Sequence, residues 1–439
     1  MPAMVAPMRG YAADRPWAAR LVVLERRAAR RIRRTLSTPA GRAQLVAAIA
    51  ALLVALLLLN SCSGTPITPA PASGLTQTPA APTSAATPAP TPAPSPTPTP
   101  VPLVEAPTDG VLETAAAAAR PAVAVMIDDA PAARPQSGLA EADVLIQAPA
   151  EGGIPRYMAI YQSRPAPAIG PIRSSRLYFV GWAAQWHPLY VHVGGAPNAL
   201  AELRQLNGQL VWDGDQYVYP TYMPRISARV APHNVYSSTT QLDALAARLG
   251  VPAAPATAWT FGDPAPLADR PTSGSLVVPY PAGVIAYTYD PPTDRYLRSV
   301  DGAAQVDAGT GTRVAPYDVV VMYVRSGPLL NTPTEPTNQA KERLEIGYTG
   351  SGSALVLRDG IAIEATWSKA SNGAPLLFTY RTGPQAGSPI RLVRGQVAIQ
   401  VVPVGTSVTL HTSPVPSAAS PAGSVTPAGS AGPAASPGR

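Results

Sequence analysis

Several charged residues and glycines follow apolar stretches of the sequence, where a sheet would present them at its edge. Asp128 and Asp129 come directly after the apolar run PAVAVMI, and Gly194 and Gly195 follow the run PLYVHV. Ligands of open α/β sheets bind beyond the carboxyl ends of the strands. Glycines in front of a helix that begins near Pro197 also expose backbone N–H groups, which favour anions. The pattern predicts an anion-binding pocket at this edge.

Two arginines in GPIRSSR (170–176) add to this prediction. Arg173 and Arg176 could each offer a forked pair of donors to a carboxylate or a phosphate. The alternative is a structural network of arginines and aspartates that ties loops together, and the sequence leaves both interpretations open. The full set of candidate ligand-binding residues is Asp128, Arg173, Arg176, His192, Gly194, Gly195 and His233.

Histidines near these residues raise two further possibilities. His192 and His233 are two of four histidines, and with Asp128 they could ligate a divalent metal or act in hydrolysis. No HxH, HExxH or clustered spacing supports a metal, so neither a metal nor a cofactor is assigned. Ser174 could complete a triad with His233 and Asp128. However, the sequence has no GxSxG elbow, and a serine that starts a helix is a ready N-cap. Glu151, which opens the sequence EGG, is expected in a turn, with a general-acid role as the alternative.

The elements that must position these residues alternate between strand and helix. Apolar runs predict strands at 121–128, 142–149, 156–163 and 188–195. Apolar spacing at three and four residues predicts helices at 174–186, 197–206 and 239–250. Alternating strands and helices indicate an α/β layer, so residues 104–265 are expected to form a sandwich-like α/β domain.

The following stretch has a different pattern. Residues 270–411 contain short β-branched runs separated by Gly, Asp and Pro, including a hairpin pattern around Pro-Pro-Thr-Asp in residues 283–302. No convincing helix interrupts them. We therefore expect a mostly-β domain, which gives the chain an α+β class overall.

The charge of the chain is concentrated in its first residues. Residues 1–43 hold ten arginines against Asp14 and Glu25, and the remaining 23 basic side chains are outnumbered by 24 acidic ones. The net charge of +7 therefore belongs to the leader, and nucleic acid is not an expected partner, because the body has no overall positive field to attract phosphates.

An apolar run and the single cysteine predict a membrane anchor. Leu45 to Leu59 is uncharged, follows the basic cluster, and has the length of a signal-peptide core rather than the roughly 20 residues of a spanning helix. Cys62 follows it with Leu59 at −3 and Ser61 at −1, which resembles a bacterial lipobox. Residues 1–62 are thus a basic cytoplasmic region plus a lipoprotein signal, with an uncleaved anchor as the alternative. Membrane lipid is the predicted partner, through Cys62 or through the apolar run.

Proline-rich and small-residue tracts flank the two predicted domains. Residues 63–103 are rich in Pro, Thr and Ala and predict a disordered, polyproline-like tether. Residues 412–439 are rich in Ser, Pro, Ala and Gly and predict a disordered tail. This layout places the domains on the extracytoplasmic face of a bacterial cell membrane.

The motifs in both predicted domains resemble those of the YerB-like bacterial lipoprotein family. In the first domain they are MIDDA (126–130), AARPQSGL (132–139), ADV (142–144), EGGIPR (151–156), GPIRSSR (170–176), YVHVGG (190–195) and APHN (231–234). In the second they are Tyr289, Asp290, Tyr296, Arg298, Gly302, GSG (350–352) and ATWSK (365–369). The sequence departs from the family pattern at Asp129, where Asn is expected, and at Pro155, where Thr is expected. The resemblance implies a two-domain envelope lipoprotein of unknown function and supplies no reaction.

Two functional hypotheses follow from the sequence. The first is an envelope protein that binds a cell-wall polymer or an envelope partner without catalysis, as the absent catalytic motif and the tether favour. The alternative is an envelope hydrolase acting on a wall or polyanionic substrate through Asp128, His192 and His233. The two hypotheses differ in whether these side chains converge on one open cleft.

Overall fold

The computed structural model of the chain describes residues 101–256, 258–329 and 343–414. The basic leader, the apolar run 45–59, Cys62, nearly all of the predicted tether and the tail beyond residue 414 lie outside the described residues. Within the described ranges, no helix is long and apolar enough to cross a membrane.

The described residues form four α-helices. They are α1 (Ala115–Ala118), α2 (Leu177–Ala183), α3 (Pro197–Leu206) and α4 (Thr239–Leu249). The Ser238 side chain caps α4 by accepting from the Gln241 N–H, and Gly250 ends it in the left-handed conformation. In contrast, α3 begins at Pro197, which has no N–H, without a cap from the Ala196 side chain, and the Ala199 N–H donates to the Asn198 side chain.

Strands make up most of the described structure. Between residues 101 and 262 they are β1 (Leu103–Glu105), β2 (Leu112–Thr114), β3 (Val123–Asp128), β4 (Val144–Pro149), β5 (Pro155–Tyr161), β6 (Leu189–His192), β7 (Trp212–Asp215) and β8 (Thr260–Gly262). Between residues 274 and 412 they are β9 (Gly274–Tyr280), β10 (Gly283–Asp290), β11 (Arg295–Val300), β12 (Ala303–Ala304), β13 (Asp318–Val324), β14 (Ser326–Pro328), β15 (Leu344–Ile346), β16 (Gly350–Arg358), β17 (Ile361–Lys369), β18 (Leu377–Tyr380), β19 (Arg391–Val393), β20 (Val397–Pro403) and β21 (Thr409–Thr412).

The largest sheet has ten strands in the order β18-β17-β16-β13-β20-β4-β5-β3-β6-β7. Its centre is fully buried on both sides, as the unbroken apolar runs of β3 and β4 predict. One face packs against α2 and α3, through side chains such as Trp182 and Leu203. The other face packs against α4 and against a five-stranded sheet of order β12-β11-β10-β9-β21.

The shared sheet corrects the expectation of an α/β domain that stands apart from a β domain. β20 lies between β13 and β4 and is parallel to both. The boundary predicted near residues 265–270 therefore separates two stretches of sequence but not two sheets. Local patterns could not reveal this arrangement, because β4 and β20 pair across some 250 residues of sequence.

A buried polar network joins the two sheets. Arg298 on β11 is 1% exposed, and it donates to Gln147 Oε1 on β4 at 2.6 Å and to the Tyr287 hydroxyl at 3.0 Å. Gln147 Nε2 donates in turn to Asp129 Oδ2 at 2.7 Å, and Asp129 pairs with Arg134 at 2.9 Å. Burial raises the pKa of Asp129, although Arg134 opposes the shift. Asp129, the departure from the family pattern, thus belongs to a structural network.

Candidate functional site

One edge of the ten-stranded sheet collects most of the polar residues singled out from the sequence. β3 and β6 are parallel and end at this edge with Asp128 and His192, and the antiparallel β5 begins there at Pro155. The segment after Gly170 crosses the same edge, because the Arg173 N–H donates to the Met126 carbonyl and the Val193 N–H donates to the Arg173 carbonyl. The sheet therefore fixes these positions through its backbone.

A cluster of three arginines around one carboxylate is the main feature of this edge. Arg176 donates to both oxygens of Glu151 at 2.5 Å. Arg156 lies 3.5 Å from Glu151 Oε2, and Arg343 lies 4.0 Å from Glu151 Oε1. We call these four residues the arginine cluster. Three guanidinium groups therefore lie within 4.0 Å of one carboxylate.

The pKa values in the cluster reflect how close its arginines lie to one another. Burial, together with the positive charge of Arg176, lowers the pKa of Arg156 to about 10 and also lowers the pKa of Arg343. Burial opposes ionisation of Glu151, but the hydrogen bonds and charge of Arg176 lower its pKa below the ordinary value. The four side chains are 13–21% exposed, so solvent reaches the cluster. An added anion would relieve the repulsion between the arginines.

A second group of polar residues lies beside the cluster. Asp128 Oδ2 is 2.9 Å from His233 Nδ1 and 3.4 Å from Arg173 Nε. Arg173 also donates to the Pro232 carbonyl at 3.4 Å. Asp128 is the direct strand neighbour of Arg156, whose pKa it helps to hold up. The two groups are therefore continuous along the edge.

His192 is separated from both groups by burial and by its own partners. Its side chain is 0% exposed, its Nδ1 lies 2.8 Å from the Gly194 carbonyl oxygen, and its Nε2 lies 2.8 Å from Asp213 Oδ1. Both ring nitrogens are thus occupied within the fold. A hydrolase that uses Asp128, His192 and His233 together has no support in this geometry, because His192 cannot reach an open cleft.

The glycines and the candidate nucleophile also have structural partners. The Gly194 N–H donates to Asp215 Oδ1 at 3.1 Å, and Gly195 forms an isolated bridge with Ser175. Ser174 accepts from Arg156 through its carbonyl oxygen at 3.5 Å. Across the described ranges there is no hydrogen bond between Ser174 and His233, and no group of three His, Cys, Asp or Glu side chains that could hold a metal. Because the Gly194 N–H donates to Asp215, it is not free for a ligand.

Sequence reasoning missed part of the cluster. The predicted candidate residues do not include Arg156, although it stands in the EGGIPR motif, and the sequence predicts Glu151 in a turn, with acid catalysis as the alternative. Glu151 does lie in a 3₁₀ turn, and its carboxylate contacts the arginines. Glu151 and Arg156 belong to the same EGGIPR motif, so the sequence contains a feature from which their contact could be predicted. No motif includes Arg343, so its contact with Glu151 could not be predicted from the sequence.

The edge as built can hold an anion and fix its orientation. Guanidinium forks suit tetrahedral or planar oxyanions, and they act without a metal. The chemistry available at the arginine cluster is recognition, since its side chains contain no nucleophile and no group poised to exchange protons near neutral pH.

Comparison with known proteins gives a consistent family for both parts of the chain. Residues 108–252 match the family described as "Protein of unknown function (DUF3048) N-terminal domain", and residues 276–399 match the corresponding C-terminal domain. The two matches follow each other in the order that the sequence motifs predicted, and they confirm the resemblance to a YerB-like two-domain family.

Individual relatives agree with the family match. The chain is 29% identical over 310 residues to the protein named "Putative lipoprotein YerB" of Bacillus subtilis strain 168. The aligned region covers 68% of this chain and 86% of the relative. The crystal structure of the YerB protein from Bacillus subtilis superposes with a TM-score of 0.60 at 26% identity, covering 70% of this chain and all of the other.

Proposed function

We propose that this chain, which belongs to the DUF3048 family through both of that family's domains, is an envelope lipoprotein that binds an anionic cell-wall component without catalysis. The binding residues are the arginine cluster of Arg156, Arg176 and Arg343 around Glu151, with Arg173 beside it. Location at the membrane, lipidation at Cys62 and the identity of the bound component are all parts of this proposal.

The concentration of guanidinium groups at one point of the sheet edge carries the proposal. Three of them lie within 4.0 Å of Glu151, and Arg173 lies beside them. The charge of Arg176 helps to lower the pKa values of Arg156 and Arg343, because like charges at short distance repel. A ligand that brings negative charge would reduce this repulsion.

The leader and tether support the location. The basic leader, the apolar run 45–59 and Cys62 have the order of a lipoprotein signal. The tether of about 40 residues, at roughly 3.1 Å each in a polyproline-like form, could span on the order of 100 Å. That reach suits a domain that contacts a wall layer above the membrane. The relative named a lipoprotein supports the same anchoring.

One contact in the structure favours the alternative hypothesis of a hydrolase. Asp128 Oδ2 contacts His233 Nδ1 at 2.9 Å, and His233 lines a depression of about 380 Å³ together with Arg134, Arg229 and Val230. Such a pair could activate water. If the full-length protein releases fragments from purified wall and His233→Gln abolishes that release, the non-catalytic proposal is wrong.

Binding to isolated wall sacculi tests the proposal. Full-length protein should sediment with sacculi that retain their phosphodiester-linked polymer, and it should sediment less with the same sacculi after hydrofluoric acid removes that polymer. Arg176→Ala should weaken sedimentation about tenfold or more, whereas Arg394→Ala should not. Arg394 is a matched control, because it is also about one-fifth exposed but pairs with two acids, Glu105 and Asp263. Equal binding by both variants would overturn the proposal.

A further inference from the structure

The hairpin of β1 and β2 is attached to the rest of the fold by its turn rather than by its strands. Residues 106–110, which we call the hairpin turn, are all buried, and Asp109 is 0% exposed. On the strands, by contrast, Leu103 is 55% exposed and Leu112 is 48% exposed. Two strands of three residues are not stable by themselves. The position of the hairpin therefore depends on what its turn contacts.

The hairpin turn packs against two later parts of the chain. It lies so close to β8 that a side chain at Gly110 would overlap the Phe261 ring. The Asp109 carbonyl oxygen accepts from the Gly395 N–H at 2.9 Å, in the connection between β19 and β20. Neither contact involves a titratable group, so both act at any pH.

A buried pair of carboxylates lies where the hairpin turn meets the body. Ser163 Oγ is 2.8 Å from Asp109 Oδ2 and 2.7 Å from Asp143 Oδ1. Asp143 Oδ2 already accepts from the Ser163 N–H and from the Thr108 hydroxyl, which favours an ionised Asp143. If Asp109 is protonated, its carboxyl can donate to Ser163 Oγ while Ser163 donates to Asp143. If Asp109 is ionised, the single Ser163 hydroxyl proton cannot serve both carboxylates.

Positive charge around the pair offsets only part of this repulsion. Arg164 Nε lies 3.7 Å from Asp143 Oδ1, and Arg164 Nη2 donates to the Ala142 carbonyl at 2.6 Å. Burial and the charge of Asp143 raise the pKa of Asp109 to about 7, although Arg164 acts against the shift. The other charged side chains around the hairpin pair with one another: Glu105 and Asp263 with Arg394, and Glu113 with Arg120.

We propose that the hairpin turn is a pH-sensitive latch, which stays docked while Asp109 carries a proton and is released when Asp109 ionises. The docked state binds this proton more tightly than the released state. The stabilisation of the docked hairpin is therefore complete below about pH 4 and is lost as the pH rises through about 7.

Release of the latch would change the connection between the body and the predicted tether. The hairpin follows the tether directly in the sequence. Residues 101–114, at roughly 3.3 Å each when extended, would add up to about 45 Å to that connection. The reach of the body would then be short in acid and longer at neutral or alkaline pH. This inference does not depend on the arginine cluster.

Hydrogen exchange of the full-length protein tests the latch. Exchange should be followed by mass spectrometry at pH 5.5 and pH 8.0, with labelling times corrected for the pH dependence of chemical exchange. Peptides covering 101–114 should lose protection at least tenfold at pH 8.0, whereas peptides covering β3 and β4 should not change. Equal protection of 101–114 at both pH values would overturn the proposal.

Variants assign the effect to one carboxyl group. Asp109→Asn cannot ionise, and its amide can still donate to Ser163, so 101–114 should stay protected at both pH values. Asp263→Asn removes an exposed carboxylate that pairs with Arg394 beside the hairpin, and it should keep the wild-type response. If Asp109→Asn keeps the wild-type response, or Asp263→Asn loses it, the latch is wrongly assigned.

Proteolysis of the wild type gives a second measurement that requires no variant. A glutamate-specific protease should cut after Glu105 or Glu113 faster at pH 8.0 than at pH 5.5, relative to its rate on a short unstructured peptide at each pH. Equal relative rates at the two pH values would contradict release of the hairpin, whether or not Asp109→Asn folds.

Discussion

Arg176 donates to both oxygens of Glu151, yet Glu151 does not depend on Arg176 alone, because Arg156 and Arg343 lie within 4.0 Å of the same carboxylate. This shared pairing distinguishes the cluster from an ordinary buried ion pair. Removing one arginine leaves the carboxylate paired, whereas removing the carboxylate leaves three like charges together.

Arg176→Ala should therefore destabilise the protein only modestly. Breaking an isolated buried pair costs roughly 3–5 kcal/mol, because the partner is left uncompensated. Glu151 keeps two arginine partners in this variant, so we expect a loss near 1 kcal/mol in the free energy of unfolding, measured by urea denaturation. A loss of 3 kcal/mol or more would indicate a structural pair and count against a binding role.

The two segments of the chain should depend on each other for folding. β20 from the second segment pairs with β4 from the first, and Arg298 hydrogen-bonds to Gln147 across the two sheets. Limited proteolysis should leave a resistant core of about 104–411, and a nick within 252–273 should leave the two fragments associated. Expressed alone, residues 104–265 should lack a cooperative unfolding transition. A cooperative transition in that fragment would show that the shared sheet is dispensable.

Stability should fall as the pH rises toward neutrality, because of a buried aspartate pair. Burial and the charge of Asp143 raise the pKa of Asp109 to about 7 from an ordinary value near 4. The Ser163 hydroxyl lies 2.8 Å from Asp109 and 2.7 Å from Asp143, and its single proton cannot satisfy both carboxylates. Since the folded state binds the proton more tightly, this stabilisation is complete below about pH 4 and is lost as the pH rises through about 7.

Melting temperatures between pH 5 and 8 test the assignment. The melting temperature of the wild type should fall across this range, and Asp109→Asn should make that fall with pH less steep. Part of the slope should persist, because burial also raises the pKa of Asp294 to about 6. Asp263→Asn, at a carboxylate with 87% exposure, serves as a control and should leave the slope unchanged. An unaltered slope in Asp109→Asn would contradict the assignment.

The membrane anchor should depend on the single cysteine. Labelled fatty acid should be incorporated into the wild-type protein and not into Cys62→Ser, because a lipobox cysteine is the attachment site. Incorporation into both proteins, or into neither, would reject the lipoprotein prediction. Membrane association of Cys62→Ser would then favour the apolar run 45–59 as an uncleaved anchor.

Local patterns in the sequence predicted individual elements well and their assembly poorly. The apolar runs of β3, β4, β5 and β6 and the helical spacing of α2, α3 and α4 are visible without a structure. The pairing of β20 with β4 is not, because strand neighbours far apart in sequence leave no periodic signal. The mostly-β character of the second segment was predictable from its short β-branched runs.

Contacts between residues far apart in sequence also limit how much of the site can be predicted. The sequence predicts that Asp128, Arg173 and His233 lie together at strand ends and helix starts, and in the structure Arg173 and His233 both contact Asp128. The sequence predicts His192 as a site residue from its residue type alone. In the structure its strand is buried, and its Nε2 is hydrogen-bonded to Asp213 Oδ1. Arg343 reaches Glu151 across 192 positions of sequence, and only the folded chain brings these two residues together.

The affinity of full-length Glu151→Gln and Arg176→Ala for inorganic phosphate at low ionic strength tests the central claim most directly. Both variants lose a side chain of the same ion pair, so a purely structural role predicts that both weaken or neither changes. If the arginine cluster binds anions, Glu151→Gln should bind roughly tenfold more tightly, because an internal competing charge is gone, while Arg176→Ala should bind roughly tenfold more weakly. Changes in the same direction, or no change in either variant, would contradict the account.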